Sequence, residues 1–254
     1  MAIDSGLDEL YIVPDWPAPP HVKAAVTTRY GGVSVGDQQG LNLADYVGDD
    51  PQAVATNRDR LMRTLNLSEP PRWLSQVHGP VSMCADQIAG RVEADAAWTA
   101  SAGVVCAVLT ADCLPILLCD RDGRQVAAVH AGWRGLCSGV IELAVDRFFA
   151  ADIPAANVMA WLGPAIGPAS YEVDSMVRNA FIGRKPDCAS SFIESRPGHW
   201  HFDLYAAARE VLAAIGVTAI SGGDFCTYSE ERFYSYRRSS SCGRQASLIW
   251  QVEH

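Results

Sequence analysis

Lysine is almost missing from this chain. Of the 20 basic residues among its 254, all but Lys23 and Lys185 are arginines, and they are outnumbered by 29 acidic residues, giving a net charge of −9. Nucleic-acid backbones are gripped mainly by clustered cations that release counterions, so this balance excludes non-specific binding to DNA or RNA. Long apolar runs are also missing. The best candidate, Ala102 to Cys119, is interrupted by Thr110, Asp112 and Pro115, and a charge at bilayer depth is costly. It predicts two buried strands and no membrane partner. No period of 20 to 50 residues repeats, no Gly/Ser-rich linker divides the chain, and neither Cys-x-x-Cys nor His-x-x-x-His spacing occurs.

The first sixteen residues carry Asp4, Asp8 and Glu9 and lack a basic segment followed by an apolar one. That pattern predicts no secretory leader and places the chain in the reducing cytoplasm, where its eight cysteines are free thiols.

What is present is an ordinary globular composition, 49% hydrophobic and 19% charged. A chain of this length buries roughly 70–75% of its unfolded surface and needs neither disulfide nor structural metal to fold. The absence of an internal boundary predicts a single domain over residues 1–254. Short runs rich in Val, Ile, Leu and Ala predict strands at Val22–Thr28, Val104–Thr110, Ile116–Cys119, Val126–His130, Val158–Gly163 and Ala246–Trp250. A hairpin turn at Asp120–Arg124 joins two of them. Helical spacing is clearest for Leu204, Ala207, Ala208, Val211, Leu212 and Ile215, between an Asp203 cap and Gly216. Stripes behind Pro51 and from Val140 to Phe149 predict two more helices, and Glu172–Ile182 a fourth. Strands and helices without regular alternation predict an α+β fold of layered mixed β-sheets flanked by helices.

Three residues at the ends of apolar segments could carry chemistry: His78 in Ser75-Gln-Val-His-Gly79, Cys113 in Thr110-Ala-Asp-Cys-Leu-Pro115, and His130 in Ala128-Val-His-Ala-Gly-Trp-Arg-Gly135. A hairpin between the strand after Cys113 and the strand ending at His130 would make those two neighbours. Two imidazoles and a thiolate form a set that zinc accepts at catalytic sites, with the fourth position left for water or substrate. The same residues also admit a metal-free site, with Cys113 as nucleophile and His130 as its base beside a helix beginning near Gly135. Both readings predict inactivation by Cys113→Ala.

Other residues carry weaker signals. His199 and His201 read as surface residues before a helix cap, and Cys106 and Cys119 as core. Cys226 lies in a turn-like stretch, and Gly163–Pro168 reads as a plain loop. Arg29, Arg134, Arg237, Arg238 and Arg244 sit beside glycine- or serine-rich turns, where a guanidinium can grip an anion that the backbone approaches closely.

Taken together the motifs resemble a known family. Thr27-Thr-Arg-Tyr-Gly-Gly-Val-Ser34, Leu41-Asn-Leu43, Gln76-Val-His-Gly79, Leu109-Thr-Ala-Asp-Cys-Leu-Pro-Ile116, Ala128-Val-His-Ala-Gly-Trp-Arg-Gly135, Gly163-Pro-Ala-Ile-Gly167, Tyr171-Glu-Val-Asp174 and Ser235-Tyr-Arg-Arg238 look like the signatures of the YfiH-type laccase-domain family, in the family's order. The resemblance implies that His78, Cys113 and His130 hold a metal, zinc in preference to copper. It implies a fold similar to that of the cysteine hydrolase toxins. It also implies small-molecule partners, purine nucleosides and phosphate: phosphorolysis of adenosine, guanosine, inosine and 5′-methylthioadenosine, with hydrolytic deamination of adenosine.

In deamination Asp112, beside Cys113, would shuttle a proton; capping or positioning is its other reading. Arg29, Asn42, Arg134, Arg237 and Arg238 are the expected substrate-binding residues. Some relatives are credited instead with editing cell-wall precursors as amidases, and a non-enzymatic metal-dependent regulatory module is the third alternative. The older description of the family as multicopper oxidases fits poorly. Such enzymes need many histidines, and this chain has six: His21, His78, His130, His199, His201 and His254.

Overall fold

Residues 10–253 are described by a computed structural model. Residues 1–9 of the segment read for a leader, and His254, lie outside the described residues. In chain order the elements are β1 (Tyr11–Ile12), β2 (Val22–Thr27), α1 (Pro51–Thr64), β3 (Ser82–Cys84), β4 (Ala96–Thr99), β5 (Cys106–Thr110), β6 (Leu114–Asp120) and β7 (Val126–Ala131). There follow α2 (Trp133–Ser138), α3 (Val140–Phe149), β8 (Val158–Leu162), β9 (Glu172–Asp174), α4 (Ser175–Arg184), β10 (Phe192–Arg196), β11 (His199–Phe202), α5 (Leu204–Ala214), β12 (Ala219–Gly222) and β13 (Gln245–Gln251).

The strands form three sheets. A four-stranded antiparallel sheet runs β1-β2-β13-β5, and a six-stranded mixed sheet runs β12-β8-β6-β7-β4-β3, parallel only at its two outer pairs. A small antiparallel sheet runs β10-β11-β9.

Side-chain alternation explains why the larger sheets stack. Along β6, Leu117 and Cys119 point toward the four-stranded sheet, where they meet Val26, Val108 and Ile249. Ile116 and Leu118 point the other way, against Ile141, Val145 and Phe148 of α3 and Leu212 of α5. In β5, Val108 faces the six-stranded sheet while Ala107 and Leu109 face Leu61 of α1. The result is four layers, helix, sheet, sheet, helix. β5, β6 and β7 are buried on both faces, which is why Ala102–Cys119 is apolar for much of its length, with the break at Asp112 falling between β5 and β6. No helix among the described residues is long and apolar enough to cross a membrane.

Local signals explain the element ends. Gly123, at φ 64°, turns the β6–β7 hairpin, and Asp120 closes it by accepting from the Gln125 N–H at 2.9 Å. Asp203 caps α5 by accepting from the Ala206 N–H at 3.0 Å, and Gly216 follows the helix at φ 87°.

The helix expected over Glu172–Ile182 is corrected at its start. Glu172–Asp174 instead pairs with His199–His201, and Asp174 caps α4 by accepting from the Val177 N–H. His199 and His201 are half-buried on β11, not exposed as expected. The helix placed near Gly135 begins at Trp133, and the left-handed Gly139 separates it from α3. Cys106 and Cys119 are core residues, as expected.

Candidate metal centre and its pocket

The six-stranded sheet delivers two members of the triad by its register. Pro115 of β6 lies opposite His130 of β7, so the loop preceding β6 brings Cys113 beside His130. His78 arrives from elsewhere, on the 75–81 segment leading into β3, with its backbone in the left-handed region at φ 59°. One ligand atom from each of the three residues lies within 4.8 Å of the others, and the Cys113 Sγ to His78 Nε2 distance is 3.8 Å. The imidazole rings meet edge to face, their centroids 4.8 Å apart. Ligand atoms around a tetrahedral zinc with ordinary bond lengths sit roughly 3.3–3.8 Å apart, so the observed spacing fits a metal centre after small adjustments. Among the described residues this is the one group of histidine, cysteine and acidic side chains that could hold an ion.

The orientation comes from a residue that the sequence did not reveal. Asp95, fully buried just before β4, accepts from His130 Nδ1 at 2.8 Å and from the backbone N–H groups of His78 at 2.9 Å, Gly79 at 2.7 Å and Val77 at 3.2 Å. With Nδ1 engaged, His130 turns Nε2 toward Cys113. Burial opposes ionisation of Asp95, but the hydrogen bond and charge of His130 and the two nearest amides outweigh it and hold the carboxyl below its ordinary value. The same competition acts on the ligands. Burial would raise the Cys113 thiol and lower the His130 imidazole. Their mutual attraction overcomes it, drawing the thiol down to about 6 and the imidazole up to about 9.

Gly132 closes the centre from behind. A Cβ there would stand 2.8 Å from His78 Cδ2 and 2.9 Å from Cys113 Sγ, so no larger residue fits while the triad keeps its place.

A pocket of about 500 Å³ opens over the triad, with Trp133, Tyr171, Tyr236, Arg134, Arg237 and Arg244 in its walls. Each of these arginines lies over one of these rings: Arg134 over Trp133 at 4.5 Å, Arg237 over Tyr171 at 5.4 Å, Arg244 over Tyr236 at 5.9 Å. Stacking fixes each guanidinium. Arg237 is held further by donating from both terminal nitrogens to the Glu172 carbonyl at 3.2 Å, and Arg244 by donating from one to the Cys242 and Gly243 carbonyls at 2.6 and 3.0 Å. Thr110 also lines the pocket, and its buried hydroxyl has no partner.

The remaining candidates fall in different places. Asp112 is in the pocket wall at φ 87°, but its two oxygens accept from the Thr227 hydroxyl and the Arg237 N–H, both at 2.6 Å. Arg29, Asn42 and Arg238 are not in the wall. Arg29 lies over Tyr234 and donates to the Gln39 carbonyl. Arg238 spends its guanidinium on the carbonyls of Thr227, Tyr228 and Phe233. Asn42 is fully buried, accepting from the Ala44 and Arg244 N–H groups and donating to the Ala44 carbonyl and Asp49. These three hold loops together because backbone carbonyls and amides reach them before any ligand could. The Gly163–Pro168 loop likewise spends its amides internally, on Pro115, Tyr205, Asp112 and Cys226.

The fold and the site define a layered α+β protein with a His78–Cys113–His130 group that could hold a metal ion, beneath an arginine-rich pocket. Residues 23–252 match the family described as multi-copper polyphenol oxidoreductase laccase, and the chain belongs to that family. It is 52% identical over 243 residues to a Pseudomonas aeruginosa protein named a purine nucleoside phosphorylase, covering 94% of this chain and 98% of that one. It is 48% identical to the Escherichia coli purine nucleoside phosphorylase YfiH, covering 95% and 98%. Among solved structures, Neisseria meningitidis protein NMB0706 superposes with a TM-score of 0.91 at 44% identity, covering 96% of this chain and 99% of that one. YlmD from Geobacillus stearothermophilus gives 0.84 at 33%, covering 92% and 93%.

Proposed function

We propose that this protein is a zinc-dependent purine nucleoside phosphorylase that also deaminates adenosine, acting as one domain in the reducing cytoplasm. The observation that carries the reading is the pairing of a three-ligand centre with three stacked arginines in one pocket. The names of its relatives supply the reaction. The eight unpaired cysteines support the compartment.

Two imidazoles and a thiolate suit zinc, and they suit copper less well in a chain too poor in histidine for a multicopper array. A divalent ion held by His78, Cys113 and His130 supplies Lewis-acid chemistry at the pocket floor. The chain's own residues do the rest. Arg134, Arg237 and Arg244 hold the hydrogen phosphate dianion, one oxygen of which bonds to the ribose C1′ as the bond to the purine nitrogen breaks, the purine leaving with the proton that the phosphate gives up. Trp133, Tyr171 and Tyr236 offer flat faces for the base. The Thr110 hydroxyl is the free donor for a ribose or purine oxygen. With both oxygens engaged, Asp112 serves better as the residue that sets the Arg237 backbone than as a proton shuttle.

Adenosine and phosphate incubated with the purified protein are expected to give adenine and ribose 1-phosphate, with about one zinc per chain. An amidase acting on cell-wall precursors, or a regulatory module without turnover, would leave both untouched.

A further inference from the structure

A second compartment of about 470 Å³ abuts the first and shares Tyr46, Gln76 and Leu109 with it. Nothing in the proposed reaction uses it. Its wall carries Arg58, Arg72 and Arg91 against a single carboxylate, Asp45, beside the flat apolar face of Trp73. Across both compartments the walls hold six arginines but only two of the chain's 29 acidic residues, Asp45 and Asp112, in a protein of net charge −9. Such a local reversal of sign favours anions wherever the rest of the surface repels them.

The side chains of this compartment are arranged in advance. Arg58 lies over the Trp73 ring at 4.8 Å and donates twice to the Leu43 carbonyl, which fixes its plane. Arg91 reaches Asp45 through one nitrogen at 2.6 Å, and its side chain is 64% exposed, so its other donors remain free. Arg72 uses one nitrogen on Glu69 at 2.6 Å, while its buried Nε has no partner. Gln76, on the shared wall, is locked by paired bonds to the Leu109 backbone at 2.8 and 2.7 Å. That leaves Tyr46 as the exposed side chain between the compartments.

We propose that the arginine compartment is an anion subsite that takes the phosphate groups of a nucleoside 5′-phosphate whose base and ribose occupy the triad pocket. The shared wall of Tyr46, Gln76 and Leu109 sets the two compartments side by side, so one ligand reaching past Tyr46 would enter both. The identity of the nucleoside rests on the function proposed above; the anion subsite does not.

Calorimetric titration of the metal-loaded protein with adenosine, AMP, ADP and inorganic pyrophosphate tests this. ADP is expected to bind at least about tenfold more tightly than adenosine, the effect of one charge-assisted contact to arginine. That advantage should be lost in both Arg91→Ala and Arg91→Glu, whose exposed position lets both fold. Arg121→Ala, in the β6–β7 hairpin, should keep it. Equal affinities for adenosine and ADP, or an ADP advantage untouched by both Arg91 variants, overturns the proposal. Pyrophosphate binding without an ADP advantage also overturns it, since the anion would then be free. An ADP advantage lost in the Arg91 variants, in a protein that fails to phosphorolyse adenosine, overturns only the phosphorylase reading.

Discussion

Asp95 and His130 are joined twice: the carboxylate accepts from the ring at 2.8 Å, and the Asp95 carbonyl accepts from the His130 backbone N–H at 2.7 Å. The same carboxylate gathers the three amides of the turn that carries His78. One buried side chain thus orients His78 and His130, which come from separate parts of the chain. In Asp95→Asn the amide would turn a donor toward groups that are themselves donors. Metal affinity, measured by competition with a chelator, should fall about 10- to 100-fold while the circular dichroism spectrum is retained. Unchanged affinity would show that Asp95 does not orient the ligands.

Metal affinity should depend on pH with a definite sign. With the Cys113 thiol near 6 and the His130 imidazole near 9, the metal-free pair holds one proton between those values, and an incoming ion must displace it. Affinity should therefore rise about tenfold per pH unit across that window, and fall more steeply below it as the thiol also protonates. Competition titrations between pH 6.5 and 8.5 give the slope. A flat profile would place the ion elsewhere.

Gly132→Ala tests the space behind the centre. Its backbone, at φ −67°, accepts alanine readily, so the expected defect is the overlap of the new methyl with His78 and Cys113. Stability should drop by about 1–3 kcal/mol, typical of overpacking. Zinc content measured by elemental analysis should drop with it. A variant that keeps its full zinc would show that the triad can shift to make room.

The neighbouring arginines should separate cleanly. Arg237 is in the pocket wall and bonds one backbone carbonyl, that of Glu172, whereas Arg238 lies outside the wall and bonds three. Arg237→Ala should raise the KM for phosphate about tenfold or more, the loss expected for one charged hydrogen bond. Arg238→Ala should instead lower the denaturation midpoint and leave that KM nearly unchanged. The opposite pattern would reverse the two roles.

Much of the fold was legible because it obeys simple periods. The α5 stripe from Leu204 to Ile215, with an aspartate before it and a glycine after, needed only local chemistry. His78, Cys113 and His130 stood out as reactive groups ending apolar segments. Asp95 did not, because its value lies in collecting backbone amides that a sequence does not display; a single aspartate within Ala94–Ala97 was its only trace. Arg29, Asn42 and Arg238 misled for the converse reason. A turn rich in glycine exposes carbonyls as readily as amides, and these side chains were taken up by the protein's own backbone.

The triad also has a bearing on how the chain assembles. His78 and Cys113 are 35 positions apart, as are Asp95 and His130. The β6–β7 hairpin alone brings Cys113 and His130 together, but His78, and the Asp95 that holds its turn, come from outside that hairpin. Local contacts thus supply two of the three residues, and the group that could hold an ion is complete only when the His78 turn docks. Metal uptake by the proposed centre would therefore reach full affinity late in folding, when the His78 turn docks on the β6–β7 hairpin.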